Sequence, residues 1–241
     1  MTRTSVTPAS TEVAGASAAA TWIVIAAYNE SETIAEVLSG LAGNGCSVVV
    51  VDDGSRDDTS RIALETGVHV VRHPINLGQG AALQTGIEYA MRRDAAVIVT
   101  FDADGQHLAS EIHPMVEILI GSGADLACGS RFLGRTENMP RLRRATLKLA
   151  TAFTFLSTGL RMTDAHNGFR AMTRSCAQRL KIRQNRMAHA SEIVHEAARL
   201  KLKLVEVPVT IRYSEYSLRK GQKLSNSLTI LMDLLIKRLY R

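Results

Sequence analysis

The sequence is poor in cysteine and in aromatic residues. Its 241 residues contain three cysteines, Cys46, Cys128 and Cys176, which lie far apart and lack metal-ligand spacing. An odd and sparse set of this kind argues against a disulfide framework and favours a reducing compartment. Aromatic residues make up 5% of the chain, and no nucleic-acid reader motif is present. A nucleic-acid-binding module is therefore not expected.

Long apolar runs are also absent. A membrane-spanning helix needs roughly 18 to 20 apolar residues in succession, and the chain has no such run, so none is expected. The first twenty residues are small and polar and lack the apolar centre of a secretion signal. We expect residues 1–20 to form a disordered leader and the protein to be cytoplasmic.

The charges are unevenly distributed along an otherwise ordinary globular composition. The chain is 46% hydrophobic and 22% charged, and its length suits one large domain. Residues 1–130 carry 6 Lys+Arg and 16 Asp+Glu, whereas residues 131–241 carry 23 and 7. The basic second half could contact nucleic acid, anionic lipid or phosphorylated substrates. The alternative is that it is ordinary solvated surface.

The first half alternates short apolar runs with amphipathic stretches. The apolar runs are continuous and β-branched, as expected of strands that are covered on both faces. Between them, apolar residues recur at three- and four-residue spacing, as in helices. This alternation predicts a mainly parallel α/β sheet with right-handed crossovers. The predicted strands are 22–27, 47–52, 68–71, 95–101 and 124–129, and the predicted helices are 30–42, 56–67 and 78–94.

After residue 130 the pattern changes. Residues 141–160 and 187–201 are predicted to be helical, and residues 204–211 to form a strand. The tail, 223–240, is predicted to be an amphipathic helix with a basic end. Its leucines recur at helix-face spacing, at positions Leu224, Leu228, Leu231, Leu235 and Leu239.

Pairs of aspartates follow two of the predicted strands. Asp52 and Asp53 end one strand, and Asp102 and Asp104 end another in the stretch VIVTFDADGQH (97–107). Ligands of open α/β sheets bind beyond the carboxyl ends of strands. Neighbouring carboxylates repel unless a cation lies between them or one takes a proton. A divalent ion held by oxygen ligands and a substrate diphosphate would resolve this conflict.

Six short motifs occur in a fixed order along the chain. They are AAYNE (26–30), VDDGS (51–55), NLGQGAAL (76–83), DADGQH (102–107), GSR (129–131) and NGFR (167–170). Together they resemble family 2 glycosyltransferases of the GT-A fold, over about residues 21–212. DADGQH and the later EVPVTIRY (206–213) resemble in particular the polyprenol-phosphate sugar synthases, the group that includes dolichol-phosphate mannose synthase. One departure is Ala26, where the family usually has proline.

The resemblance implies a Rossmann-like, mainly parallel sheet sandwiched by helices. It also implies metal-dependent transfer from a nucleotide-diphosphate sugar, with inversion of the anomeric carbon. Mg2+ or Mn2+ would be held by Asp102, Asp104 and Gln106. The expected donor-binding residues are Ala27, Tyr28, Glu30, Asp52, Asp53, Gly80, Asp102, Ala103, Asp104 and Gln106. The expected catalytic residues are Asp102, Asp104, Arg131, Asp164 and Arg170, of which the two arginines would face phosphates.

The glycine-rich stretch NLGQGAAL allows two interpretations. It lacks the lysine of a phosphate-binding P-loop and the full spacing of a dinucleotide-binding motif. We therefore favour a tight turn into a helix, which would shape the donor pocket around Gly80, over direct phosphate contact.

The acceptor remains open between two chemical classes. A sugar hydroxyl needs a general base, for which Asp164, His166, His189 and Glu192 are candidates. A polyprenyl phosphate is already ionised and needs cations instead, which fits the basic half. The candidate cations are Arg131, Arg141, Arg143, Arg144, Arg170, Lys220 and Lys223. A non-catalytic nucleotide-sugar-binding subunit is a third reading, but the aspartates of DADGQH are intact.

A polyprenyl acceptor would require contact with the inner face of the cytoplasmic membrane. The tail helix and residues 147–160 are candidates for interfacial helices, with ordinary packing against the core as the alternative. A small membrane-protein partner would serve equally well. We predict a nucleotide-sugar-binding half (21–130), an acceptor-binding half (131–212) and a basic amphipathic segment (213–241).

Overall fold

The computed structural model describes residues 20–214 and residue 216. Most of the predicted leader, the tail helix, Lys220 and Lys223 therefore lie outside the described residues. The strands are β1 (Thr21–Ala27), β2 (Ser47–Asp52), β3 (His69–Arg72), β4 (Val97–Asp102), β5 (Leu126–Glu137), β6 (Arg170–Thr173) and β7 (Leu204–Arg212). The α-helices are α1 (Ile34–Leu41), α2 (Thr59–Glu65), α3 (Gln79–Met91), α4 (Ile112–Gly121), α5 (Arg141–Thr158), α6 (Arg174–Arg179) and α7 (His189–Arg199).

The strands form one mixed sheet in the order β3-β2-β1-β4-β6-β5-β7. β1 pairs in parallel with both β2 and β4, and β2 pairs in parallel with β3. β6 runs antiparallel between β4 and β5, and β5 pairs in parallel with β7. The expected mainly parallel sheet is therefore confirmed.

Both faces of the sheet are covered by helices. Successive side chains of a strand point to opposite faces, so the residues of β1 divide between two cores. Ile23 and Ile25 pack with residues of α1, α2 and α4, whereas Trp22 and Val24 pack with residues of α3, α6 and α7. This packing explains why the strands are apolar runs without polar alternation.

Three elements were not predicted from the sequence, namely α4, α6 and β6. β6 has only four residues and lies between two partners that are distant in the chain, so its pairing has no local pattern. β5 is longer than predicted and continues to Glu137, with a register shift between Ser130 and Arg135. The proposed boundary at residue 130 thus falls inside β5, and the division into two halves stays a prediction.

Helix α5 is the most exposed helix among those described. Of its 18 residues, Thr154 alone is buried, although the helix contains several large apolar side chains. Leu142, Leu149 and Leu156 are 61%, 62% and 71% exposed. No helix within residues 20–214 combines the length and the apolar character that crossing a bilayer requires.

Candidate active site

The carboxyl ends of the parallel strands bring the two pairs of aspartates to one edge of the sheet. In the register of the sheet, Asp52 lies opposite Ala27 and Asp102 lies opposite Ala26. The NGFR motif reaches the same edge, because the hydroxyl of Thr100 in β4 donates to the carbonyl oxygen of Gly168 at 2.7 Å. Both pairs of aspartates and the NGFR motif therefore lie at one edge of the sheet.

Asp102 is held in place but remains accessible. Its side chain is 28% exposed. Nε2–H of His107 donates to Oδ2 at 2.9 Å, and the side-chain amide of Gln79 donates to Oδ1 at 3.3 Å. Each carboxylate oxygen can accept further bonds or bind a cation. Asp104 is also partly exposed, and its Oδ1 accepts the backbone N–H of Gln106 at 3.1 Å.

The two aspartates have opposite pKa shifts. Burial, reinforced by the negative charge of Asp102, raises the pKa of Asp104 to about 6. Burial alone would raise the pKa of Asp102 as well, but the hydrogen bond and charge of His107, with His189 and Arg170, hold it below its ordinary value. The expected repulsion between the two carboxylates thus raises the pKa of one of them, and Asp104 holds its proton more tightly than Asp102 does.

Gly168 has no side chain, and this leaves room for the carboxylate of Asp102. A Cβ atom at this glycine would lie 2.5 Å from Oδ2 and 2.8 Å from Oδ1 of Asp102. These distances are shorter than any normal contact, so the carboxylate can adopt this position only beside glycine. The motif NGFR therefore supports the DADGQH motif sterically.

Asp52 and Asp53 are buried and bonded to protein groups. The carboxylate of Asp52 accepts from the backbone N–H of Ser55 at 2.8 Å and from the hydroxyl of Ser60. Asp53 accepts from the backbone N–H groups of Leu77 at 2.9 Å and Gly78 at 2.6 Å. Asp53 also lies 2.7 Å from Nδ1 of His73. These contacts fix the glycine-rich loop, and the nucleotide-binding role of both residues stays a prediction.

The glycine-rich loop is a tight turn packed against another segment of backbone. Gly78 has φ of 106°, a conformation that favours glycine. The backbone N–H groups of Gly80 and Ala81 donate to the carbonyl oxygen of Asn185, at 2.8 Å and 3.3 Å. Because this carbonyl occupies the first N–H groups of α3, the geometry favours a pocket-shaping turn over direct phosphate contact by these two groups.

The segment after β1 borders the same edge. Tyr28 is 38% exposed, and Oε2 of Glu30 accepts the hydroxyl of Tyr216 at 2.8 Å. The carbonyl oxygen of Ala103 accepts the hydroxyl of Thr33 at 2.8 Å, and that of Ala27 accepts the N–H of Asp53 at 2.8 Å. The end of β1 and the segment after it are therefore bonded to the residues that follow β2 and β4.

The predicted phosphate-facing arginines are buried. Nε of Arg131 donates to Oδ2 of Asp164 at 2.5 Å, and Nη1 donates to the hydroxyl of Tyr213 at 2.7 Å. Nη2 of Arg170 donates to the carbonyl oxygens of Ala165 and Ala190, at 3.1 Å and 3.2 Å. The exposed fractions of Arg131 and Arg170 are 7% and 2%. Their roles at phosphates stay predictions.

Each candidate general base has protein partners. Asp164 is 1% exposed and paired with Arg131. Oε2 of Glu192 accepts the backbone N–H groups of Arg183 and Gln184, at 3.0 Å and 2.8 Å.

The two histidines among these candidates are also engaged. Nδ1–H of His189 donates to the carbonyl oxygen of Arg186 at 2.9 Å, and Nε2 of His166 lies 3.1 Å from the hydroxyl of Ser191. Burial lowers the pKa of both histidines to about 4. Both are therefore neutral near pH 7.

Several residues of the site were not found by sequence reasoning. Gln79 and His107 bond to Asp102, Gly168 packs against it, and Tyr213 bonds to Arg131. All four lie within the quoted motifs, so their presence was visible. Their contacts join residues that are distant in the sequence or depend on the exact turn of the backbone, and no local pattern shows them.

The oxygen ligands at this site suit a divalent cation that is bound by the protein and by a substrate together. Within the described part of the chain, no three His, Cys, Asp or Glu side chains form a complete metal-binding group. Asp102 and Asp104 supply carboxylate oxygens, and Gln106 is adjacent in the turn. Mg2+ is commonly bound by one or two carboxylates plus substrate phosphates and water. The raised pKa of Asp104 marks a site where a cation would relieve the repulsion.

Comparisons with known proteins agree with this geometry. The glycosyl transferase family 2 sequence model matches residues 22–181. The UDP-N-acetylglucosamine–dolichyl-phosphate N-acetylglucosaminyltransferase of Methanococcus voltae is 32% identical over 89% of this chain and 94% of that protein. The polyprenol monophosphomannose synthase of Mycolicibacterium smegmatis is 30% identical over 83% and 80%.

A solved structure shows the same fold. Glucosyl-3-phosphoglycerate synthase from Mycobacterium tuberculosis, crystallised with Mn2+, UDP and glucosyl-3-phosphoglycerate, aligns with a TM-score of 0.72 at 21% identity. The alignment covers 98% of this chain and 85% of that structure. The expected GT-A fold class is confirmed.

Proposed function

The chain belongs to glycosyl transferase family 2 and is a glycosyltransferase, and from this premise we propose that it transfers a sugar from a nucleotide-diphosphate sugar to a polyprenyl phosphate. The family resemblance and the names of the relatives support this acceptor. The proposed reaction displaces the nucleoside diphosphate directly and inverts the anomeric carbon.

The donor would bind at the edge formed by β1, β2 and β4. Asp102, Asp104 and Gln106 would hold Mg2+ or Mn2+, which offsets the negative charge that develops on the leaving diphosphate. His107 and Gln79 orient the carboxylate of Asp102. Tyr28, Glu30, Ala27 and Ala103 border the position proposed for the nucleoside, and the buried Asp52 and Asp53 would act through the loops that they hold.

The acceptor proposal depends on one observation: the candidate bases are already engaged. Asp164 pairs with Arg131, and Glu192 accepts two backbone N–H groups. Burial lowers the pKa of His166 and His189 to about 4, so neither histidine readily takes a proton near pH 7. A hydroxyl acceptor needs a base that is free to take its proton. A phosphate acceptor is ionised near neutral pH and needs only cations to position it. The engagement of the bases therefore favours the phosphate.

The polyprenyl chain of the acceptor lies in a bilayer, and we propose that α5 helps the enzyme to dock there. Leu142, Leu149 and Leu156 recur every seven residues, which places them on one side of the helix, and all three are exposed. The helix contains Arg141, Arg143, Arg144 and Lys148 and no acidic residue. An apolar stripe among cations suits the surface of an anionic membrane.

The experiment is a transfer assay with the full chain. Labelled GDP-mannose, UDP-glucose and UDP-N-acetylglucosamine are each offered with polyprenyl phosphate and Mn2+. An acid-labile glycolipid product from one donor is expected, and chelation should abolish it. Asp102→Asn and Asp104→Asn should lower kcat at least about a hundredfold, because charge stabilisation at the leaving group is worth several kcal/mol. Asp58→Asn changes the N-cap aspartate that precedes α2 and pairs with Arg61, and serves as the control.

Three results would contradict the proposal. The first is transfer to a saccharide but not to the lipid phosphate. The second is full activity after exhaustive chelation. The third is an equal loss of activity in the Asp58 control, which would indicate a general effect of replacing aspartates.

A further inference from the structure

A loop beside the site is fixed at several points along its backbone. This rim loop comprises residues 183–188, between α6 and α7. The carboxylate of Glu192 accepts the N–H groups of its first two residues, and the carbonyl oxygen of Asn185 accepts those of Gly80 and Ala81. The carbonyl oxygen of Arg186 accepts Nδ1–H of His189. The loop therefore has one defined position relative to the glycine-rich loop.

The same contacts place Arg186 beside the glycine-rich loop. A Cβ atom on Gly78 would lie 3.1 Å from Cγ of Arg186, so the stem of this arginine packs next to the glycine. The next residue, Gln79, bonds to Asp102. Arg186 thus packs against Gly78, and Gln79, the residue after Gly78, bonds directly to Asp102.

Arg186 is exposed and has no acidic partner within the described part of the chain. Among the residues that the structure describes, no carboxylate lies within ion-pair distance of its guanidinium group. Arg131 and Arg170, by contrast, are buried and bonded to protein oxygens. An arginine on a fixed loop, with no ion-pair partner among the described residues, is suited to bind phosphate oxygens with two parallel hydrogen bonds.

We propose that Arg186 binds a phosphate group of a substrate at the rim of the site. This inference rests on the proposed function, since the phosphate belongs either to the donor diphosphate or to the polyprenyl phosphate. Arg186 is a binding residue for the leaving or attacking phosphate, and the rim loop, held by His189 and Glu192, positions it.

The test measures binding and turnover separately for Arg186→Ala and Arg186→Lys. Binding of UDP–Mn2+, of GDP–Mn2+ and of a short-chain polyprenyl monophosphate is titrated in each variant. Loss of a charge-assisted hydrogen bond should weaken binding of one of these probes about tenfold or more. Arg186→Lys should recover part of this loss because it keeps the charge but not the planar fork. The temperature of unfolding should not change, because the side chain is exposed.

The matched control is Arg183→Ala, which removes another exposed arginine of the same loop. Arg183 acts on Glu196 of α7 instead. Weaker nucleotide binding in the Arg186 variants would show that Arg186 binds the donor diphosphate. Weaker binding of the lipid phosphate would show that it binds the acceptor. Equal effects of Arg186→Ala and Arg183→Ala, or a loss confined to kcat, would overturn the proposal.

The proposed function fails separately, when the wild type binds these probes but makes no glycolipid. If the wild type binds none of the three, both proposals are overturned.

Discussion

Exposure distinguishes the aspartates of the site from one another. The side chain of Asp102 is 28% exposed, whereas Asp52, Asp53 and Asp164 are each at most 2% exposed as residues. The oxygens of a carboxylate that is buried among protein donors accept hydrogen bonds from those donors and thereby hold loops in place. A carboxylate whose oxygens keep unused acceptor capacity can share them with a bound cation. Asp102 and Asp104 meet this condition.

The position of Asp102 depends on a neighbouring residue without a side chain. We expect Gly168→Ala to reduce activity about 10- to 100-fold, because the added Cβ would displace the carboxylate from its place. Unfolding should change little, since the carboxylate can turn outward. Activity as a function of Mn2+ concentration, together with thermal unfolding, checks this expectation.

The control is Gly40→Ala in α1, where an added Cβ would meet no atom within 4 Å. This change should leave activity intact and raise stability slightly, since alanine favours a helix by about 1 kcal/mol over glycine. Wild-type activity in Gly168→Ala would show that the contact with Asp102 does not matter.

Strands could be predicted from the sequence where helices cover them on both faces. β1, β2 and β4 read as strands because helices cover both faces of the sheet, which makes their residues continuously apolar. β6 was missed because its four residues are held by β4 and β5, far away in the chain. A short strand of this kind is defined by its partners and not by its own sequence.

Helix α5 has an apolar side that nothing covers within the described residues. We expect the full chain to bind phosphatidylglycerol vesicles more strongly than neutral vesicles, and salt to weaken this binding. Leu149→Glu combined with Leu156→Glu should lower binding about tenfold or more, because each buried leucine contributes roughly 2 kcal/mol. Vesicle sedimentation measures the bound fraction.

Leu64→Glu is the matched control, since Leu64 is 59% exposed but lies on α2. Its vesicle binding should equal that of the wild type. Unchanged binding of the α5 variant would assign membrane contact to another part of the chain. If the α5 variant loses binding equally to neutral and to anionic vesicles, independently of salt, the electrostatic part of the proposal is contradicted.

At the scale of the whole molecule, buried histidines make folding sensitive to pH. Burial lowers the folded-state pKa of His166 to about 4, from an ordinary value of 6.5. Between these values the unfolded chain binds the proton more readily, so stability falls as pH falls. This histidine should contribute a loss of about 2 kcal/mol between about pH 7.5 and pH 5.

The check is chemical denaturation of the wild type and His166→Gln at several pH values. Glutamine keeps a hydrogen-bonding group near Ser191 but cannot take up the proton, so the variant should lose less stability on acidification. The raised pKa of Asp104 gives the opposite slope in both proteins and cancels in the comparison. Identical pH dependence of the two proteins would contradict the expectation.

The sequence by itself determined the alternation of strands and helices, the motif order and the edge at which the aspartates meet. These features follow from local periodicity and from the rule that parallel strands end on one side. The tertiary structure decided which carboxylates remain accessible, which arginines are already bonded and where the rim loop lies. Burial and hydrogen-bond partners come from segments far apart in the chain, such as Gly168 beside Asp102 and Asn185 beside Gly80. Such contacts exist only once the chain has folded.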